Sequence, residues 1–303
     1  MRPVLIAAAL ATLVLAGAIP AASAFLSQHS GGERLKDGQL GWAIEAGEKE
    51  RVNGKVQLTL SRRSSGSEWI HSHTRPLAQL AGLSMAQLGS ESGGPVRFRL
   101  ERDAGAIDCE GVARRFRGTG DCRFTANPAF ARELEQRGHG QASEEQLFSL
   151  ALHNVGRPFL DELGRQGYAK PAVGELVRAA DHGATLDYLR EMGEAGFRVG
   201  TLAELIRMRD HGVSARFARE LAEYGIKGLS SGEIVRLRDH GVSASFLGEL
   251  RTLGYGGLSA EQVVRLRDHG VSASFIRKVN ASGGERRSAE ELVTLRDRGW
   301  TGR

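Results

Sequence analysis

The sequence predicts an α+β chain: a small antiparallel β domain with one or two short helices over residues 25–139, then an α-helical array of 29-residue, two-helix units over residues 140–303. Three observations carry this reading. The tripeptide Asp-His-Gly starts at Asp181, Asp210, Asp239 and Asp268, always 29 residues apart, and a degenerate copy, Asp297-Arg298-Gly299, continues the series. A fixed period in the range of about 20–50 residues marks stacked supersecondary units. Each period holds two stretches whose apolar residues recur at helical spacing, whereas upstream of His139 the alternation has period two.

The N-terminus comes first. Arg2 supplies a positive start, Val4 to Ile19 is an apolar run, and Ala22-Ser23-Ala24 is an A-x-A site. This pattern predicts a secretory signal peptide over residues 1–24, cleaved after Ala24, and a periplasmic or secreted mature protein. The run is short for a membrane span, which needs about 20 apolar residues. No later stretch could span a bilayer.

In the β domain, Trp42–Ile44 and Val56–Leu60 read as strands flanking a loop with Asn53-Gly54, Pro76–Leu83 as a short helix, and Val96–Leu100 as a further strand. Ala106–Cys109 and Cys122–Phe124 read as two more strands. Cys109 and Cys122 are the only cysteines. In an exported chain an even pair predicts one disulfide, here stapling a hairpin. Asn127 and Pro128 supply the cap and first position of a helix that Gly138 stops.

The repeats justify themselves residue by residue. In the unit Val242–Gly270, Ser243 caps a first helix whose apolar face is Phe246, Leu247, Leu250 and Leu253, and Gly254 ends it. Ser259 caps the second helix, with Gln262 completing a capping box. The first-helix cap slot holds Gly156, Thr185, Ser214, Ser243 and Ser272, and the aromatic slot holds Phe159, Tyr188, Phe217, Phe246 and Phe275. Helices of about ten residues are marginal alone, so they must stack, and some eleven are expected. Asp-His-Gly falls at the corner between the helices. One step upstream the glycine slot holds Asn154, the next-best residue for a left-handed backbone. The histidine complements the helix dipole. The aspartate does not, and is expected to bond the next helix's free N–H groups or a neighbouring arginine.

Several patterns imitate chemistry. The five corner histidines (His153, His182, His211, His240 and His269) belong to units stacked about 10 Å apart, too far to share a metal ion. Gly228-Leu-Ser230-Ser-Gly232 matches a nucleophile elbow, but Ser230 occupies a repeated helix-cap slot. His71-Ser72-His73 lacks a third ligand and reads as a solvated loop, and Gly118-Thr119-Gly120 lacks the third glycine of a nucleotide loop. No catalytic residue, metal site or cofactor is therefore assigned.

The whole chain has a formal charge of +5, yet Glu144–Arg303 carries 23 Lys and Arg against 22 Asp and Glu. That near-neutral balance argues against nucleic acid as a partner. The repeated arginines form the candidate interaction surface: Arg207, Arg236, Arg238, Arg265 and Arg267.

Two features together resemble a group of exported bacterial proteins. One runs from Arg102-Asp-Ala-Gly105 through Cys109-Glu-Gly111 to Arg123-Phe124, Asn127-Pro128 and Phe130. The other is the ELVRLRDHGVS-type repeat, similar to the extracytoplasmic tail of membrane zinc metallopeptidases of the beta-lactam-sensor type. The peptidase's H-E-x-x-H and membrane helices have no counterpart here, so the resemblance implies sensing, docking or regulation at the envelope rather than proteolysis. The expected function is a non-enzymatic scaffold binding another envelope protein. The alternative is a ligand-binding protein or enzyme with its site in the β domain, around Trp69, His71 and His73.

Overall fold

The computed structural model describes residues 38–301 except 65, 66, 227 and 284. The expected signal peptide over residues 1–24 and its expected cleavage site lie outside the described residues. The fold is α+β, with a six-stranded antiparallel sheet followed by a run of helices. By internal contacts the chain divides into a first unit, residues up to 101 plus Ile107–Phe124, and a second unit, Arg102–Ala106 plus Thr125–Arg303. The helix over Pro128–Gln136 thus groups with the repeats rather than with the sheet.

The sheet is built from β1 (Leu40–Glu45), β2 (Lys55–Ser64), β3 (Ser67–Pro76), β4 (Gly94–Arg102), β5 (Gly105–Arg114) and β6 (Arg117–Ala126), in the order β3-β2-β1-β6-β5-β4. β1 lies centrally, with Trp42 opposite Leu60 on one side and Gly120 on the other. Trp42 is fully buried, meets Phe98 edge-on at 5.0 Å and donates its indole N–H to the Glu110 carbonyl at 3.0 Å. The Gly118-Thr-Gly120 cluster has a packing role: a Cβ on Gly120 would lie 2.7 Å from the indole nitrogen. Cys109 and Cys122 are joined in a disulfide across neighbouring strands β5 and β6.

Three local expectations change. The loop between β1 and β2 contains a helical turn, α1 (Glu48–Val52), whose residues Glu-Lys-Glu-Arg-Val present no apolar face to reveal it. The segment Pro76–Leu83 forms only a 3-10 turn at Leu77–Gln79, because Gly82 adopts positive φ just beyond it. His71-Ser72-His73 lies within β3 rather than in a loop, paired with Leu60, Thr59 and Leu58 of β2. A short helix, α2 (Met85–Gly89), precedes β4 with a Ser84/Gln87 capping box.

The second unit begins its helices with α3 (Pro128–Gln136), capped by Asn127. Eleven helices then follow among the described residues: α4 (Glu144–Leu152), α5 (Arg157–Gln166), α6 (Val173–Asp181), α7 (Leu186–Glu194), α8 (Leu202–Asp210), α9 (Ala215–Tyr224), α10 (Ser231–Asp239), α11 (Ala244–Thr252), α12 (Ala260–Asp268), α13 (Ala273–Ala281) and α14 (Ala289–Asp297). Each packs on the helix two places along, so even- and odd-numbered helices form separate layers. Thr185, Ser214, Ser243 and Ser272 each accept a backbone N–H at the start of an odd-numbered helix. Ser143, Ser230, Ser259 and Ser288 close capping boxes on even-numbered helices. Asn154 takes the left-handed conformation, φ 58°, as do the corner glycines.

Candidate functional site

The duplicated corner phrase resolves into a latch between successive units. Contrary to the expectation that it bonds helix N–H groups or an arginine, the aspartate has a histidine partner. It accepts from the histidine of the preceding unit: His182 Nδ1 to Asp210 at 2.8 Å, His211 to Asp239 at 2.7 Å, His240 to Asp268 at 2.6 Å and His269 to Asp297 at 2.9 Å. The first link is looser, His153 Nε2 to Asp181 at 3.4 Å. The reason is positional. Each aspartate lies 28 residues beyond a histidine, so stacking units one period apart brings the carboxylate against the imidazole. The four close imidazoles each have one nitrogen facing a carboxylate, which leaves them as couplers of neighbouring helices.

The paired arginines divide into two rows. Arg209, Arg238, Arg267 and Arg296, on the second helix of a unit, each lie over the aromatic ring of the same unit's first helix, at 5.3 Å from Tyr188, 5.7 Å from Phe217, 4.9 Å from Phe246 and 5.5 Å from Phe275. Arg238 also donates to the carbonyls of Gly212 (3.1 Å) and Val242 (3.3 Å). A cation over a desolvated ring is a packing interaction as much as an electrostatic one. Arg238 and Arg267, both half-buried, therefore belong largely to the joints.

The other row faces outward. Arg236 pairs with Glu261 at 3.0 Å and Arg265 with Glu290 at 3.1 Å, each reaching the next unit. The odd-numbered helices carry a parallel ladder: Arg190 with Glu162, Arg251 with Glu223 and Arg277 with Glu249. Arg207 is exposed and makes no ion pair among the described residues, because Gly232 occupies the position at which Glu261 and Glu290 answer the later arginines. The five candidate residues are thus brought onto one helical layer, but only Arg207, Arg236 and Arg265 present their charge outward.

The alternative site lies on β3. Trp69 stacks nearly parallel on His71 with ring centroids 5.6 Å apart, and His71 meets His73 at 4.2 Å. Burial, reinforced by the Arg75 charge, holds the His73 imidazolium pKa below its usual value. Among the described residues no group of three or more His, Cys, Asp or Glu side chains is placed to hold a metal ion.

Sequence reasoning passed over one junction. Asp103, in the turn Arg102–Ala106 of the second unit, accepts the backbone N–H of Arg157 at 2.7 Å and the Arg157 guanidinium at 2.5 Å. It serves as the cap of α5, whose own cap residue Gly156 has no side chain to offer. A Cβ on Gly156 would lie 2.3 Å from the Asp103 carboxylate. The signal was present in the sequence: a glycine where every later unit has serine or threonine.

No protein-family model and no curated protein matches this chain.

Proposed function

We propose that this protein is a non-enzymatic, exported envelope protein whose repeat array holds another envelope protein. The observation that carries the reading is the continuity of the array. Successive units are latched by histidine–aspartate bonds, and the two helices of a unit by an arginine–aromatic contact, so the outer surface is one ordered face rather than separate helices. Stacked helical units of this kind are suited to extended protein surfaces. The disulfide supports an oxidising compartment. Among the described residues no helix is long and apolar enough to cross a membrane. The resemblance of the repeat to the tails of sensor-type metallopeptidases supports a proposed role beside such systems, as a docking or regulatory element.

The proposed contact surface is the outward arginine row, with Arg207 the position at which charge is not answered among the described residues. The test is crosslinking of the exported protein in its own cells, followed by mass spectrometry. Arg207→Glu breaks no ion pair and should abolish capture of a reproducible envelope protein while leaving the fold intact. Equal capture by the variant would count against this surface.

A further inference from the structure

A groove of about 590 Å³ opens in the first unit beside the β5–β6 hairpin. Its size lies within the range of small-molecule sites, roughly 300–1,000 Å³. Val112 of β5 lines it and is 61% exposed, an unusual position for a large apolar side chain on a strand. Arg114, Arg115 and Arg117 stand around it. Hydrogen bonds hold all three guanidinium groups. Arg114 Nε donates to the Glu91 carbonyl at 2.7 Å, Arg115 Nε to the Glu91 carboxylate at 2.7 Å, and Arg117 Nη2 to Glu45 at 2.6 Å. For Arg114 and Arg115 these bonds use only Nε, so the paired terminal nitrogens, the fork that recognises carboxylate and phosphate, make no other hydrogen bond among the described residues.

The hairpin itself is held in a costly conformation. Arg115 and Phe116 both have positive φ, 50° and 63°, in a two-residue turn that ordinarily favours Asn-Gly. Neighbouring backbone fixes them there: the Arg115 N–H donates to Ser90 O at 3.1 Å, the Phe116 N–H to Leu88 O at 2.7 Å, and the Phe116 carbonyl accepts from Ala46 at 3.0 Å. Non-glycine residues in such conformations persist where surrounding structure over-determines them, and they cluster at binding sites. Here the clamp sets the direction of Arg115 at the groove's edge.

We propose that this groove binds a small organic anion with an apolar tail, of the medium-chain carboxylate class, its head on Arg114 and Arg115 and its tail over Val112. The proposal is independent of the scaffold reading, since every residue it uses lies in the first unit. Gly94 offers a clean test: it lines the groove, and a Cβ added there meets nothing within 4 Å. The mature full-length protein is titrated calorimetrically with octanoate, acetate and octylammonium. Octanoate should bind saturably, acetate should bind at least about tenfold more weakly, and octylammonium should not bind. Gly94→Leu, which adds an apolar side chain at the groove wall and replaces no arginine, and Arg114→Gln should each weaken octanoate by about tenfold or more, with urea midpoints unchanged. Absence of saturable octanoate binding, equal binding of octylammonium, or binding indifferent to Gly94→Leu would overturn the proposal.

Discussion

Asp103 and Gly156 form a pair whose energetics can be worked out from their geometry. Asp103→Ala removes the side chain that caps α5 at the Arg157 amide. Loss of a helix cap costs about 1 kcal/mol, within a range of roughly 0.5–2. The bond to the Arg157 guanidinium is solvent-screened and is left out of this figure. Gly156→Ser in the wild-type background places a Cβ 2.3 Å from the Asp103 carboxylate. Such overpacking costs about 1–3 kcal/mol. In the double variant the clash is gone and the serine supplies the hydroxyl cap that Ser214, Ser243 and Ser272 supply elsewhere. The double variant should therefore approach wild-type stability, a favourable coupling of about 2 kcal/mol or more. Urea unfolding followed by helical circular dichroism reads this as two lowered midpoints and a restored third, at constant slope. Additive losses, with the double variant worse than either single one, would refute the assignment of Asp103 as the surrogate cap.

Three further outcomes follow from the same structure. Trp300 meets Phe275 edge-on at 5.7 Å at the end of the array, in the slot that Val213, Val242 and Val271 fill in earlier units; Trp300→Ala should lose about 1–3 kcal/mol and speed amide exchange first in α13 and α14. Reduction of the Cys109–Cys122 bridge, which spans 13 positions, should lower the stability of the sheet unit by about 3 kcal/mol, checked by urea unfolding with and without reductant. The depressed pKa of His73 means that the unfolded chain binds a proton more readily; stability is fully present above the ordinary histidine pKa of about 6.5 and declines as pH falls below it. Midpoints measured across that range should flatten in His73→Gln, and an unchanged slope would remove His73 from the account.

Much of this architecture is legible in the sequence because it is written locally. Ser243, Ser259 and Gly254 act within one turn of their own positions, so the helix limits and the period could be read without coordinates. The partners of the corner aspartates could not, because they depend on how one unit lies on the next: His240 finds Asp268 only after stacking. Arg267 over Phe246 depends likewise on how the two helices of one unit pack, and with Arg238 over Phe217 it turned two of the five expected docking arginines into joints. In the sheet, the alternation of Val96–Leu100 exposes a strand, but nothing local announces that β1 pairs with β6 across more than 70 residues. The groove at Arg114 and Arg115 was equally hidden, since its clamp joins a hairpin tip to the backbone of Leu88 and Ser90.

The central claim is that the outward charge row, rather than the stability it confers, engages a partner. The most direct measurement is partner capture by a pair-swapped protein, Arg236→Glu with Glu261→Arg and Arg265→Glu with Glu290→Arg. The swap keeps both ion pairs but exchanges their positions on the surface. The account predicts a urea midpoint like that of the wild type together with loss of the captured envelope protein. Undiminished capture by the swapped protein would contradict it.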